Sequence, residues 1–219
     1  NVAVSTFQNT VGNPNLQPEI ARNTEVGIVL ARPSWAPGLS LSFDYYNIKL
    51  NGVVSSLSAQ QLVQFCFEGN QAFCGGFSLD NANQQQNFVN VQPFNLASWK
   101  TSGFDIEASY QWQQPLGLPG TFTVRALGTH IRKFIVDAGI AGVDPVDQAG
   151  ANNGATPDWK WLAVQTYDTG KLTLTVQERW FSDGTFGNQY VVCQSSCPVS
   201  TGNHPTINYN KMKGAFYMD

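Results

Sequence analysis

Seven stretches of this chain alternate apolar and polar residues, and the connections between them alternate strictly between short and long. The first, 24–32, sets Val26, Ile28 and Leu30 against Glu25, Gly27 and Val29. The second, 39–50, sets Leu39, Leu41, Phe43 and Tyr45 against Ser40, Ser42, Asp44 and Tyr46. The third is the clearest: Phe104, Ile106, Ala108, Tyr110 and Trp112 oppose Asp105, Glu107, Ser109, Gln111 and Gln113. The fourth, 121–134, opposes Phe122, Val124 and Ala126 to Thr121, Thr123 and Arg125. The fifth, 158–168, is ambiguous, with Trp159, Trp161 and Ala163 competing with Leu162 and Val164. The sixth, 171–182, alternates Leu172, Leu174 and Val176 with Thr173, Thr175, Gln177 and Arg179 until Glu178 breaks its apolar side. The seventh begins near Met212. A period of two gives a strand one apolar and one polar face without saying which points outward.

The connections decide it. Pro33–Gly38, Pro115–Gly120 and Asp168–Gly170 are short turns rich in Pro and Gly. Between them lie a stretch of some fifty residues before the third strand, a loop over 135–157 and another over 183–210. Loops beyond about 15 residues are uncommon in compact domains, and here all of them fall on one side. Short turns on one side and long loops on the other are the pattern of outer-membrane barrels, and strands of about 11 residues suit a tilted crossing. The expected fold is all-β: a transmembrane, antiparallel, up-and-down barrel with long extracellular loops. No apolar run approaches the roughly 18 residues of a membrane helix.

Composition agrees. Charged residues are 12% of the chain, about half the roughly 25% of soluble domains, so the polar faces are built from Ser, Thr, Asn and Gln. A net charge of −3 without a basic stripe argues against a nucleic-acid partner. Asn1 opens in polar, turn-like sequence without a signal-peptide pattern, and Tyr217-Met218-Asp219 reads as a strand cut in its middle. Both ends mark the chain as an expected fragment of something longer.

Cys66/Cys74 and Cys193/Cys197 are close pairs in Gly-, Asn- and Ser-rich loops without a neighbouring His, which disfavours a zinc site. Local disulfides are the simpler reading, with buried thiols as the alternative; disulfides imply an oxidising compartment. Trp112 and Trp35 fall toward the short turns, and Trp99, Trp159, Trp161 and Trp180 toward the long loops, where amphipathic rings form interfacial girdles. One loop segment, Leu57–Cys66, reads as a short helix: Ser58 stands at the N-cap, Gln61 three residues on, and Leu57 and Leu62 make a hydrophobic staple.

Gly12-Asn13-Pro14-Asn15-Leu16-Gln17-Pro18-Glu19, followed by Thr24-Glu25-Val26-Gly27, resembles a segment late in the barrel of TonB-dependent receptors. Pro37-Gly38-Leu39 leading into Ser42–Ile48, Thr101–Glu107, and Tyr217-Met218-Asp219 are similar to further segments of that family, in the family's order. The resemblance covers essentially the whole chain, residues 1–219. It implies the C-terminal part of a barrel of about 22 strands, with the N-terminal plug domain and TonB box outside this sequence. It also implies that an open seven-stranded sheet belongs to a larger closed barrel, because open edges are not viable in lipid.

The resemblance implies energy-coupled uptake of a scarce, bulky nutrient of iron-chelate, cobalamin or oligosaccharide type across the bacterial outer membrane. Its partners would be outer-membrane lipid and lipopolysaccharide, the plug, TonB acting through the plug, and the ligand. Asp44, Asp105, Glu107, Arg125 and Arg179 are the candidates for the lumen, as plug-pairing groups or as solvated wall. Phe67, Phe73, Phe77, Phe186 and Tyr190 are candidate ligand contacts in the loops, or packing residues of those loops. No catalytic, metal or cofactor residue is expected: His130 and His204 stand far apart, and nucleophile elbows and phosphate loops are absent from the sequence. The rival readings are a soluble carbohydrate-binding β-sandwich, a glycosidase using Asp105 and Glu107, and a passive porin.

Overall fold

The structure, a computed structural model, describes residues 6–79 and 87–219; the polar opening at Asn1 lies outside the described residues. Two compact units emerge, one from residues 22–49, 99–136 and 144–219, the other from residues 1–21, 50–98 and 137–143.

The main sheet is built from seven strands: β1 (Ile20–Ala31), β2 (Leu39–Ser56), β3 (Pro93–Gln113), β4 (Thr121–Asp137), β5 (Trp159–Asp168), β6 (Thr173–Phe181) and β7 (Ala215–Met218). Their order in the sheet is their order in the sequence, with Val146–Asp147 added against β4. The ladders β4–β5, β5–β6 and β6–β7 are antiparallel. This is an up-and-down wall with open edges at β1 and β7, not the two packed sheets of the sandwich alternative.

The short turns close as their residues dictate. Arg32 donates its backbone N–H to Leu39 at 2.8 Å across Pro33–Gly38. In the tightest turn Thr169 donates to the Leu172 carbonyl at 2.9 Å, the Asp168 carboxylate accepts from the Gly170 N–H at 2.7 Å, and Gly170 takes φ +78°, a region that glycine enters without steric cost.

The strands are longer than the alternation indicates. β2, β3 and β4 run 18, 21 and 17 residues, beyond the roughly 9–11 that cross a bilayer. The long connection after β2 is accordingly residues 57–92, shorter than expected. The last strand begins at Ala215 rather than Met212, which instead pairs with Gly184 across the preceding loop. That loop also carries a parallel pair, Val191–Val192 with Thr206–Ile207. Its backbone is tied by Asn210, whose buried side chain bonds both the N–H and the carbonyl of Gly187, at 3.1 and 3.0 Å.

The second unit has its own core of Leu62, Phe73, Val89, Val91 and Ile140. Asn87–Val91 lies at its centre, pairing in parallel with Thr6–Thr10 and antiparallel with Phe77–Leu79. Helix α1 (Ala59–Phe67) packs Leu62 into this core and begins with the expected capping box. The Gln61 N–H bonds the Ser58 hydroxyl at 3.3 Å, and the Gln61 amide returns to the Ser58 N–H at 3.0 Å. The Asn/Pro segment before β1 is extended, with a turn at Pro14–Asn15. It is held by Asn95, which bonds the Gln17 N–H and carbonyl at 2.7 and 2.8 Å, and by Glu19, which accepts from the Val54 N–H at 2.7 Å. Both cysteine pairs are disulfides, Cys66–Cys74 and Cys193–Cys197.

Candidate functional site

The register of β4, β5, β6 and β7 sorts their side chains onto two faces. Directly opposed residues share a face, and alternate residues along a strand return to it. On one face stand Thr123 with Thr166 and Thr175, Arg125 with Val164 and Gln177, Leu127 with Leu162, Arg179 and Tyr217, and Thr129 with Lys160 and Phe181. On the other stand Phe122 with Tyr167 and Leu174, Val124 with Gln165 and Val176, Ala126 with Ala163 and Glu178, and Gly128 with Trp161, Trp180 and Phe216. The ambiguity of β5 is resolved by its neighbours: Trp159, Trp161 and Ala163 take the apolar face, and Leu162 and Val164 lie among charged and amide groups.

Four of the five lumen candidates make side-chain bonds to a neighbouring strand or to the chain end on the polar face. Arg125 Nε meets Glu107 Oε1 at 2.7 Å, and the Thr129 hydroxyl donates to Asp105 Oδ1 at 2.7 Å, linking β3 to β4 twice. Arg179 meets Asp219 at 2.6 Å and lies 5.8 Å from the Tyr217 ring centre, linking β6 to the end of the chain. The fifth, Asp44, sits against Gly27 of the adjacent strand, whose missing side chain makes the room. All these groups are solvent-exposed or half-buried, so as surface ion pairs each contributes about 0–1 kcal/mol. Their arrangement matters more than their energy: Asp105, Glu107, Arg125 and Arg179 share one face, where Glu107–Arg125 and Arg179–Asp219 are neutralised strand to strand.

The apolar face carries a ladder of rings from β2 to β5. Phe43 lies 5.4 Å from Phe104, Phe104 lies 5.0 Å from His130, His130 stacks on Trp159 at 4.4 Å, and Trp159 stacks on Trp161 at 5.7 Å. His130 was not singled out by spacing. The signal available was its place in the alternation, on the same side as Phe122 and Val124. Glu178 does break the apolar side, and it is met there by Gln165, whose amide donates to it at 3.1 Å.

The candidate loop aromatics separate into three situations. Phe73 is buried in the core of the second unit and Phe77 packs against that core. Phe186 and Tyr190 pair at 5.6 Å in the last long loop. Phe67, at the end of α1, is 86% exposed. Sequence reasoning missed Val89, Val91 and Ile140, which complete the core around Phe73, and Asn90 and Gln92, which flank that strand on its polar side. Among the described residues there is no group of His, Cys, Asp and Glu arranged to hold a metal ion.

A sheet with charges on one face and an aromatic ladder on the other, its strands in sequential order, is the wall of a membrane-spanning β-barrel. The chain belongs to the TonB-dependent receptor-like β-barrel family, whose family model matches residues 2–216. Among solved structures it is similar to the FrpB iron transporter from Neisseria meningitidis (F5-1 variant) in its apoprotein form, with a TM-score of 0.54 and 13% sequence identity. That match covers 95% of this chain and 24% of the transporter, so the chain spans about a quarter of that protein's length. Comparison with curated proteins gives no match. The family is one of receptors and transporters rather than of enzymes.

Proposed function

We propose that this chain is part of the wall, and of the ligand-facing loops, of a receptor that takes up a scarce, bulky nutrient across the bacterial outer membrane in a TonB-dependent manner. The observation that carries this reading is the division of the sheet into a charged face and an aromatic one. An arginine on the lipid face at mid-membrane costs about 2–4 kcal/mol, so a wall holding Arg125 and Arg179 turns that face toward the lumen. There the Glu107–Arg125 and Arg179–Asp219 pairs line the space around a plug domain contributed by the rest of the protein. The opposite face meets lipid and lipopolysaccharide, with the Phe43–Trp161 ladder at the interface. The chain takes the C-terminal part of that barrel, by its segment order. Both disulfides brace loops exposed to the oxidising outside, and those loops hold the ligand.

The test is made on the intact receptor in its own cell. It is expected in the outer-membrane fraction, soluble only with detergent, and uptake of its labelled nutrient stops when TonB is deleted. Recovery in a soluble fraction sinks the membrane reading. Uptake that continues without TonB makes the protein a passive porin.

A further inference from the structure

Four cations stand on the ring-bearing face of the sheet, one on each of its first four strands. Phe43, Phe104 and His130 meet ring to ring across β2, β3 and β4, so they share one face. Alternation along each strand brings Lys49 to the face of Phe43, Lys100 to that of Phe104 and Arg132 to that of His130. On β1, Gly27 lies against Asp44 on the polar face, and Arg22, an odd number of residues away, takes the opposite one. Antiparallel pairing counted outward from Gly27 and Asp44 sets Arg22 directly across from Lys49. All four lie beyond the rings, toward the long-loop ends of their strands.

Each of the four is exposed, and among the described residues none has an ion-pair or hydrogen-bond partner for its side chain. Arg125 and Arg179 on the polar face differ, since each meets a carboxylate. Glu25, Asp44, Asp105 and Glu107, the carboxylates of β1, β2 and β3, all fall on that polar face by the same alternation. Like charges opposed across neighbouring strands are destabilising, and Arg22 across from Lys49 is such a pair unless an anion bridges it. Adjacent strands are about 4.8 Å apart, so the band extends about 14 Å along the sheet, room for several anionic groups.

We propose that Arg22, Lys49, Lys100 and Arg132 bind the phosphates of lipopolysaccharide, a site that rests on the membrane reading above. Lysine and arginine both donate charge-assisted hydrogen bonds to phosphate, and arginine does so in bidentate fashion. The order along the strands suits an amphiphile: cations toward the long loops meet its phosphates, and the rings beyond them meet its acyl chains. Long loops are the extracellular side of such a barrel. The lipid at that height belongs to the outer leaflet, which in an outer membrane is lipopolysaccharide.

The experiment uses the full receptor purified in detergent from the outer membrane, with lipid binding followed by native mass spectrometry. The probes are bisphosphorylated lipid A, the same lipid A without phosphates, and phosphatidylglycerol. Saturable binding of the bisphosphorylated form is expected, at least tenfold tighter than that of the other two. The double variants Arg22→Gln with Lys49→Gln, and Lys100→Gln with Arg132→Gln, should each weaken it about fivefold per cation removed. Heat-modifiability on gels should be unchanged in both, because the four side chains are exposed. Lys171→Gln, at the short-turn end of the sheet, should leave lipid binding as it is. Equal binding of phosphatidylglycerol overturns the assignment to lipopolysaccharide, and binding that ignores both double variants overturns the site. A protein absent from the outer membrane removes the membrane reading itself.

Discussion

The indole of Trp161 lies across Gly128, the residue directly opposite it on the neighbouring strand; a Cβ at position 128 would stand 2.6 Å from the ring. The glycine is a socket. It lets Trp161 lie along the sheet, stack on Trp159 and complete the ring ladder. Gly128→Ala should therefore cost about 1–3 kcal/mol as an overpacking change, seen as a lower temperature for loss of heat-modifiability of the intact receptor. Trp161→Leu combined with Gly128→Ala should recover most of that loss. A Gly128→Ala barrel as stable as the wild type would contradict the cross-strand packing.

Val124 and Thr123 are neighbours on β4 that point to opposite faces. Val124→Arg should lower barrel stability by about 2–4 kcal/mol near mid-membrane, whereas Thr123→Arg joins Arg125 on the polar face and should have little effect. Urea-dependent folding of the receptor into lipid vesicles measures both. The reverse order of effects would exchange the two faces and undo the lumen assignment.

Ser58 and Gln61 satisfy each other's orphaned groups at the start of α1. Ser58→Ala should cost about 1 kcal/mol. The loss should be local, appearing as roughly fivefold faster amide exchange over Ala59–Phe67 while the sheet amides are unaffected. Gln61→Ala should show a smaller effect of the same kind, because the hydroxyl cap would remain.

The Cys66–Cys74 bridge closes a loop of eight residues in sequence separation, and a loop of this size is worth about 2–3 kcal/mol of chain entropy. Cys66→Ser with Cys74→Ser should open the second unit to protease at concentrations that leave the wild type intact. Because the core of the unit is small, with five buried apolar residues at its centre among the described residues, this loss should exceed that of removing Cys193–Cys197. That bridge spans only four residues in a loop with several other ties.

Much of the wall was legible in the sequence. Apolar and polar residues alternate along a strand with one apolar and one polar face, so the face of Arg125 or Phe104 follows from position alone, and turn chemistry marks where each hairpin ends. The capping box of α1 and the two disulfides were equally readable, because Ser58 with Gln61 and cysteines four or eight apart interact within a few residues. The candidate lumen residues were legible as polar members of their strands, but not their partners: Glu107 meets Arg125, Asp105 meets Thr129 and Arg179 meets Asp219.

The rest required tertiary structure, for a physical reason. Pairing depends on register, and register between Glu107 and Arg125 or between Gly128 and Trp161 is set by strand stagger, which leaves no mark at either position. The ambiguity of β5 belongs here too, since Trp161 and Leu162 are both apolar and only the residues opposite them separate the faces. The second unit is the extreme case. Its parallel ladder joins Thr6–Thr10 to Asn87–Val91, segments about eighty positions apart, and Ile140 enters the same core from a third segment. A core assembled from such distant pieces has no local periodicity to read, so the packing of Phe73 against Val89, Val91 and Ile140 exists only once the chain has folded.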